Sequence, residues 1–428
     1  MISWKNIWRN KTRSLVVIAA ITLGLFGGLF SSAMFKGMGD QRVHEALSKE
    51  ISHIQIHNPL YLENPEIGFY INRAGEVLDF IRQQDGVAGV TSRTKLTVMI
   101  GSTSANSGVT VLGIDPDRER QVTELYKAVF DSSEVARELK IHDPEQIQAF
   151  LKDSVGAYFK GVSRNPILIG EKLAHKLKIK VRSKVVLTFQ SVDGNLTGGA
   201  FRVCGIYRMN NSMFEEANVF VRADDLAKLT GLPVSKPHEI AIILNDFNET
   251  TPLVNLLKQH FPQLEISGWK ELQPDIGMMN DFMNAMMTFM IVIILLALGF
   301  GIVNTMLMVV MERSKELGML MAIGMSKIRV FSMIIFESVL LCLTGAAVGI
   351  GISVLVINYF NIHGIDLTKF AKEGFEAMGF SAVFYPALGF DFYLLVTLMV
   401  VITGILASTY PALKALKLNP AEALRTEV

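Results

Sequence analysis

Four apolar runs, at residues 15–35, 283–310, 330–357 and 392–409, constrain this chain more than any other feature. Each is close to or above the ~20 residues an α-helix needs to cross a hydrocarbon core about 30 Å thick. Inside such a core every backbone polar group must be satisfied within its own segment, so the runs are expected to be helices. The first run follows a basic start and so also resembles a cleaved signal sequence, but the apolar part of those is about 7–15 residues. A retained helix is therefore expected.

Four spans place both termini on one side, and the basic residues choose the side. Lys5, Arg9, Lys11 and Arg13 precede the first run, Arg313, Lys315, Lys327 and Arg329 lie between the second and third, and Lys414, Lys417 and Arg425 follow the fourth. Short basic segments face the cytoplasm. The expected organisation is an amphipathic cytoplasmic entry helix over 1–14, with Trp4 and Trp8 four residues apart. Transmembrane helices over 15–36, 282–311, 326–358 and 391–410 follow. Residues 37–281 and 359–390 lie outside, a short charged helix over 312–325 lies inside, and 411–428 form a cytoplasmic tail. An inner, or plasma, membrane location follows from the same reading.

The segment 37–281 has ordinary soluble character. ISHIQI at 51–56 alternates as a half-buried strand, and 74–84 carries helical periodicity. Strands are expected at 94–100 and 109–114, helix over much of 115–158, and helix again at 171–177. Strands at 184–192 and 201–208 flank the turn Asp193-Gly194-Asn195 as a hairpin. A helix at 224–230, a strand at 238–244 and a helix at 251–260 close the segment. A βαβ-like start and a similar close around a different middle imply one α+β subdomain inserted into another.

Between the second and third runs stands ERSKELGMLMAIG, residues 312–324. Glu312 with Lys315 and Arg313 with Glu316 are spaced i,i+3, as in an exposed helix. Leu317, Leu320, Met321 and Ile323 supply an apolar side, Gly318 leaves room for close contact, Gly324 suits C′, and Ser326 suits the next N-cap. On charge pattern alone, an inert connector with snorkelling side chains explains the segment equally well.

No GxxxxGK[ST] phosphate loop occurs in the sequence, so nucleotide hydrolysis is expected from a partner rather than from this chain. An ion-driven carrier would show more spans, internal repeats and broken helices. The net charge of +1 argues against a nucleic-acid partner. Cys204 and Cys342 lie in a polar and an apolar stretch and form no disulfide framework. His53 and His57 share one strand face with Gln55, a spacing two metal ligands could use. A zinc site needs three or four ligands, so an ordinary exposed strand face is expected there, and no metal. Glu337 lies inside the third run, where a carboxylate is a functional candidate or a partner in a buried pair; the second is preferred. Asn304 is a further polar residue within a span. Gly345 and Gly349 form a small-xxx-small face for helix packing, with Gly351 beside it.

The sequence resembles the FtsX-like permease family, which includes the MacB exporters and the Lol lipoprotein-releasing permeases. Asn304-Thr305-Met306 followed by ERSKELGMLMAIGMSKIRVF, the tail YPALKALKLNPAEALR with Pro411, Pro420 and Leu424, and the start WKNIWRNKTRS carry the resemblance. ISHIQIHNP, ILIGEKLAHKLKIKVRSKVVLTF and FRVCGIY resemble the extracytoplasmic domain of the MacB and Lol group. Two positions depart from that pattern: Arg182-Ser183 stands where a Gly-Asp turn is usual, and Lys178 replaces a glycine.

The resemblance implies four transmembrane helices plus a large α+β, porter-like domain with an inserted subdomain between helices 1 and 2. It implies a permease subunit of an ABC transporter, with no cofactor of its own and Mg-ATP bound by a separate cytoplasmic ATPase. Glu312, Arg313 and Glu316 would contact that ATPase, with Leu317, Gly318, Ala322 and Gly324 shaping the helix. A second copy or a related permease, membrane lipid, and a lipoprotein substrate with a periplasmic carrier are the other implied partners. The alternatives are MacB-like efflux of peptides or drugs, mechanotransmission to a cell-wall hydrolase, and a membrane-anchored binding protein without a motor.

Overall fold

The computed structural model describes residues 11–129, 158–159, 162 and 164–417. Trp4, Trp8, Pro420, Leu424 and most of the helix expected over 115–158 lie outside the described residues. Helices of seven or more residues are numbered α1 (Lys11–Glu45), α2 (Ala74–Arg82), α3 (Pro116–Val122), α4 (Glu171–Leu177), α5 (Ala223–Thr230) and α6 (Thr250–His260). They continue with α7 (Pro274–Glu312), α8 (Ser314–Ala322), α9 (Lys327–His363), α10 (Thr368–Ala377) and α11 (Phe390–Leu416). The strands are β1 (Ile54–His57), β2 (Val87–Gly101), β3 (Asn106–Ile114), β4 (Pro166–Gly170), β5 (Lys184–Gln190), β6 (Leu196–Tyr207), β7 (Asn218–Arg222), β8 (Glu239–Leu244), β9 (Glu265–Gly268), β10 (Ile365–Asp366) and β11 (Val383–Phe384).

Two compact units result. One comprises Met1–Gln41, Met279–Leu367 and Val383–Val428; the other comprises Arg42–Met278 and Thr368–Ala382. The first contains the helices long and apolar enough to cross a membrane, four among the described residues. Its core runs along Ile21, Leu25 and Leu29 of α1, Ile302 and Met306 of α7, Val330, Ile334 and Leu341 of α9, and Val396 and Val400 of α11.

Every spanning helix is longer than its apolar run. Hydropathy marks only the part without polar residues, whereas backbone hydrogen bonding continues wherever the next side chains find partners or water. Pro411, expected at the start of the tail, lies buried inside α11, which continues to Leu416. Residues 359–390, expected as a loop, contain the end of α9, the β10–β11 ribbon and α10.

In the second unit, β2, β8, β1 and β9 form a four-stranded antiparallel sheet in that order. Helices α2 and α6 cover one face, burying Ile54, Ile56, Val77, Ile81, Ile240, Ile242 and Leu257 together. This is the split βαβ–βαβ arrangement of ferredoxin-like domains. Everything from the second half of β2 to β7 is inserted between its second and third strands.

The insertion closes a six-strand ring, β2-β3-β7-β4-β6-β5, because β2 pairs with both β3 and β5. Strand β2 thus serves both sheets: Val87–Arg93 face β8, and Thr94–Gly101 face β3. Inside the ring lie Leu96, Val98, Ile100, Ile167, Ile169, Leu187, Phe201 and Val203. Lys178 and Arg182 both adopt the left-handed backbone conformation, with φ of +52° and +70°. The glycine-type positions of the resemblance are therefore kept as backbone geometry but filled by residues that adopt it at a cost of about 1 kcal/mol each.

Candidate functional site

Helix α7 ends at Glu312, and α8 begins two residues later, with Arg313 at its N-cap outside helical geometry. The C-terminal end closes as a Schellman motif. The Gly324 amide donates to the Met321 carbonyl at 3.1 Å, and the Met325 amide donates to the Leu320 carbonyl at 3.0 Å. Gly324 makes this possible with φ +102°, a conformation that a Cβ penalises. Ser326 is the N-cap residue of α9 by backbone conformation, although its side chain makes no capping bond.

The segment has two faces. Leu317 and Gly318 are buried, and Leu317 joins Val310, Val330 and Ile334 in the helical core. Lys315, Glu316, Met319, Ala322 and Ile323 are exposed, and their spacing of i, i+1, i+4, i+7 and i+8 places them along one stripe, while Glu312 is exposed at the end of α7 before the break. Ile323 is 79% exposed and Met319 52%. Ile323 therefore belongs to the outward stripe rather than to the apolar side assigned from sequence. Leu317, one of the residues expected to take part in coupling, points into the core.

Arg313 also turns inward. Its Nη1 donates to both carboxylate oxygens of Glu337, at 3.0 and 3.2 Å, and its Nε donates to Glu316 at 3.2 Å. Glu337 lies ten residues into α9, about 15 Å along the helix from Lys327. The Glu337 side chain is 7% exposed, that of Arg313 16%, and that of Glu316 46%. One guanidinium thus joins a buried acid in a spanning helix to an exposed acid on the outward stripe. Sequence reading identified all three residues but did not connect Arg313 with Glu337, because 24 positions separate them.

Elsewhere in the helical unit, Gly345 and Gly349 lie against α1. A Cβ at Gly345 would stand 2.8 Å from Ile21, and one at Gly349 would stand 3.1 Å from the Thr22 carbonyl oxygen. Asn304 is exposed on α7. Cys204 and Cys342 are free and buried.

The second unit holds a buried charge network that sequence reading missed. Arg93, where β2 leaves the four-stranded sheet, donates to Glu119 of α3 at 2.6 and 3.1 Å and to Glu239 of β8 at 2.6 Å. Lys95 donates to the other Glu239 oxygen at 2.9 Å. Burial would raise the Glu239 carboxyl's pKa, but the Lys95 and Arg93 cations outweigh it and hold the group at about 2. The signal available in the sequence was the pair of cations Arg93 and Lys95 in a strand with no other charged residue; their acidic partners come from distant segments.

His53 and His57 are buried, not exposed as expected, because β1 is an inner strand flanked by β8 and β9. His53 Nδ1 accepts from the Leu244 amide, and His57 contacts the His238 carbonyl and Gln55. Among the described residues, no group of three or more His, Cys, Asp or Glu side chains is placed to hold a metal.

Residues 288–420 match the family described as FtsX-like permease C-terminal. The lipoprotein-releasing system transmembrane protein LolC of Haemophilus influenzae is 25% identical over 295 residues, covering 66% of this chain and 71% of LolC. The macrolide export ATP-binding/permease protein MacB of Agrobacterium fabrum is 22% identical over an alignment covering 98% of this chain and 59% of the relative. MacB of Escherichia coli K12 is 38% identical over 141 residues, 33% of this chain and 19% of that protein. This chain thus spans less than two thirds of the length of the MacB relatives.

Among solved structures, the extracellular domain of the noncanonic ABC-type transporter YknZ aligns with 50% of this chain at 14% identity and a TM-score of 0.30. The periplasmic region of MacB from Actinobacillus actinomycetemcomitans aligns with 52% at 11% identity and a TM-score of 0.31. Over residues 288–420 the chain matches the C-terminal domain of FtsX-like permeases, and it is similar in sequence to LolC and MacB.

Proposed function

We propose that the chain is the permease subunit of an ABC transporter and that a separate cytoplasmic ATPase seats on the outward stripe of α8. The carrying observation is the two-faced α8. A nine-residue helix at a membrane-helix bend is anchored on one side by Leu317 and presents Glu316, Met319, Ala322 and Ile323 on the other. An inert connector has no need of Met319 and Ile323 exposed together; a helix entering a groove uses such anchors flanked by charge.

In this reading the basic residues around α8 and after α11 face the cytoplasm, and residues 42–278 lie outside. ATP with Mg is bound and hydrolysed by the partner. Asn304, a polar side chain exposed on a spanning helix, supports a second permease subunit packed beside α7. The cargo is a lipid-anchored protein taken from the outer leaflet and passed to a periplasmic carrier, supported by the likeness to LolC over two thirds of this chain. Export of a smaller amphipathic compound is the second reading, supported by the likeness to MacB over nearly the whole chain.

Purification from native membranes tests the central step. The wild-type chain is expected to bring down a protein with a phosphate-binding loop. Glu316→Lys and Ile323→Glu are expected to lose it at unchanged membrane levels, the second without disturbing any core contact because Ile323 is 79% exposed. Retention of the ATPase by both variants contradicts the assignment. ATP-dependent release of a lipoprotein from proteoliposomes to a soluble acceptor separates the first cargo reading from the second.

A further inference from the structure

We infer that Arg313 and Glu337 form the mechanical tie between the docking helix and the third spanning helix, acting as positioning residues for coupling rather than as contacts to the ATPase. The inference rests on the proposed seat on α8 and adds how motion imposed there reaches α9. Helix α8 is flanked by two breaks in helical geometry, at Arg313 before it and at Gly324 after it. With only these connections, a push on the outward stripe would rotate α8 about its ends and move neither neighbour. Leu317 in the apolar core resists lifting but not sliding, because apolar contact has no preferred direction.

The guanidinium supplies direction. Nη1 is held by both oxygens of Glu337, which fixes the Arg313 break against a point ten residues into α9. Such charge-assisted contacts are short and geometrically specific. Nε of the same group is bound to Glu316, the exposed acid on the seat. A displacement of the Glu316 side of α8 is therefore carried through one planar group to α9. A buried ion pair adds little stability over apolar packing and is better suited to fixing a geometry. Its position at the junction of α7, α8 and α9 is where a fixed geometry matters for transmission.

The test uses the full chain in lipid nanodiscs, alone and with the ABC ATPase that co-purifies with the wild type. Variants are Arg313→Lys, Arg313→Gln, Glu337→Gln and the double Arg313→Gln/Glu337→Gln. Spin labels at Ile323 and at Phe336, both exposed, report the α8 to α9 distance. The distance distribution is expected to be narrow in the wild type and Arg313→Lys, and broad in both glutamine variants and no broader in the double. In the complex, both glutamine variants keep the ATPase bound but lose about tenfold in ATP-driven turnover, the double is no worse than the poorer single, and Arg313→Lys retains most of it.

An unchanged label distance in Glu337→Gln overturns the tie. So does additive loss in the double variant, or loss of ATPase binding as complete as in Ile323→Glu. If the wild-type chain binds no ATPase, the seat on α8 fails, while the label distances in the chain alone still decide the tie.

Discussion

Replacing Gly345 by alanine should loosen the packing of α1 on α9, and the structure sets the size of the effect. The added Cβ would lie 2.8 Å from both Cβ and Cγ2 of Ile21 and 3.4 Å from the Ile18 carbonyl oxygen. Ordinary carbon contacts are about 3.5–4.0 Å, so the two helices would have to part locally by about 0.7–1.2 Å. Ile21 is β-branched and fully packed, and cannot swing aside. Parting would also stretch the hydrogen bond that Thr22 Oγ1 donates to the Gly345 carbonyl, already 3.2 Å long. Overpacking of this kind costs about 1–3 kcal/mol.

The internal control is Gly351, where an added Cβ meets nothing within 4 Å; Gly351→Ala should be neutral or stabilising by up to about 1 kcal/mol, the gain in helix propensity that Gly345→Ala also receives. Unfolding of the full chain by SDS titration from mixed micelles, followed by circular dichroism, measures both. Equal stability of Gly345→Ala and the parent would refute the packing of α1 on α9 at this point, and with it the reading of the small-residue face.

The second unit offers two further tests. Arg93→Met removes the cation from buried Glu119 and leaves buried Glu239 with Lys95, and should destabilise by about 3 kcal/mol in chemical denaturation. Lys95→Met removes a half-buried partner at the edge of the same network and should cost about 1 kcal/mol. His238 should make stability fall with acidity. Its Nδ1 accepts from the Lys95 amide at 3.3 Å and its Nε2 meets the Ile67 carbonyl at 3.1 Å, so the neutral ring is the one that fits. Burial holds its pKa down at about 4. Between an unfolded value near 6.5 and this lowered one, only the unfolded chain takes up the proton. Stability from this residue is full above pH 6.5 and falls by about 3 kcal/mol on acidification to pH 4. Hydrogen exchange of β8 amides at pH 7 and pH 5 should show this slope in the parent and not in His238→Gln; equal slopes would contradict it.

Much of the architecture was legible because the responsible forces are local or periodic. The four apolar runs located the spanning helices, and Glu171–Leu177 emerged with the bounds read from sequence. The order of elements before and after the insertion revealed one subdomain inside another. What stayed hidden depends on pairing between distant segments. No local pattern says that β2 serves two sheets or that the inserted strands close a ring. Nor does one say that His57 is buried, since its ring stacks on Tyr61 and meets the His238 carbonyl of a distant segment. At the candidate site, the apolar residues Leu317 and Ile323 were expected on one side; Leu317 is buried while Ile323 faces outward with Met319 and Glu316, because packing against the helical core selects the buried face. The pair of Arg313 with Glu337 was not legible, because it depends on how α7 and α9 pack.

The most direct test of the central claim is site-specific photo-crosslinking from Ile323 in native membranes, with the reactive side chain on the outward stripe of α8. The account expects one major adduct, to a protein whose peptides include a phosphate-binding loop, which disappears in the Glu316→Lys background. It also expects no such adduct from Phe336 on α9, which is likewise exposed, at 63%. Adducts to lipid alone at Ile323, or an ATPase adduct of equal yield from Phe336, would contradict a seat on α8.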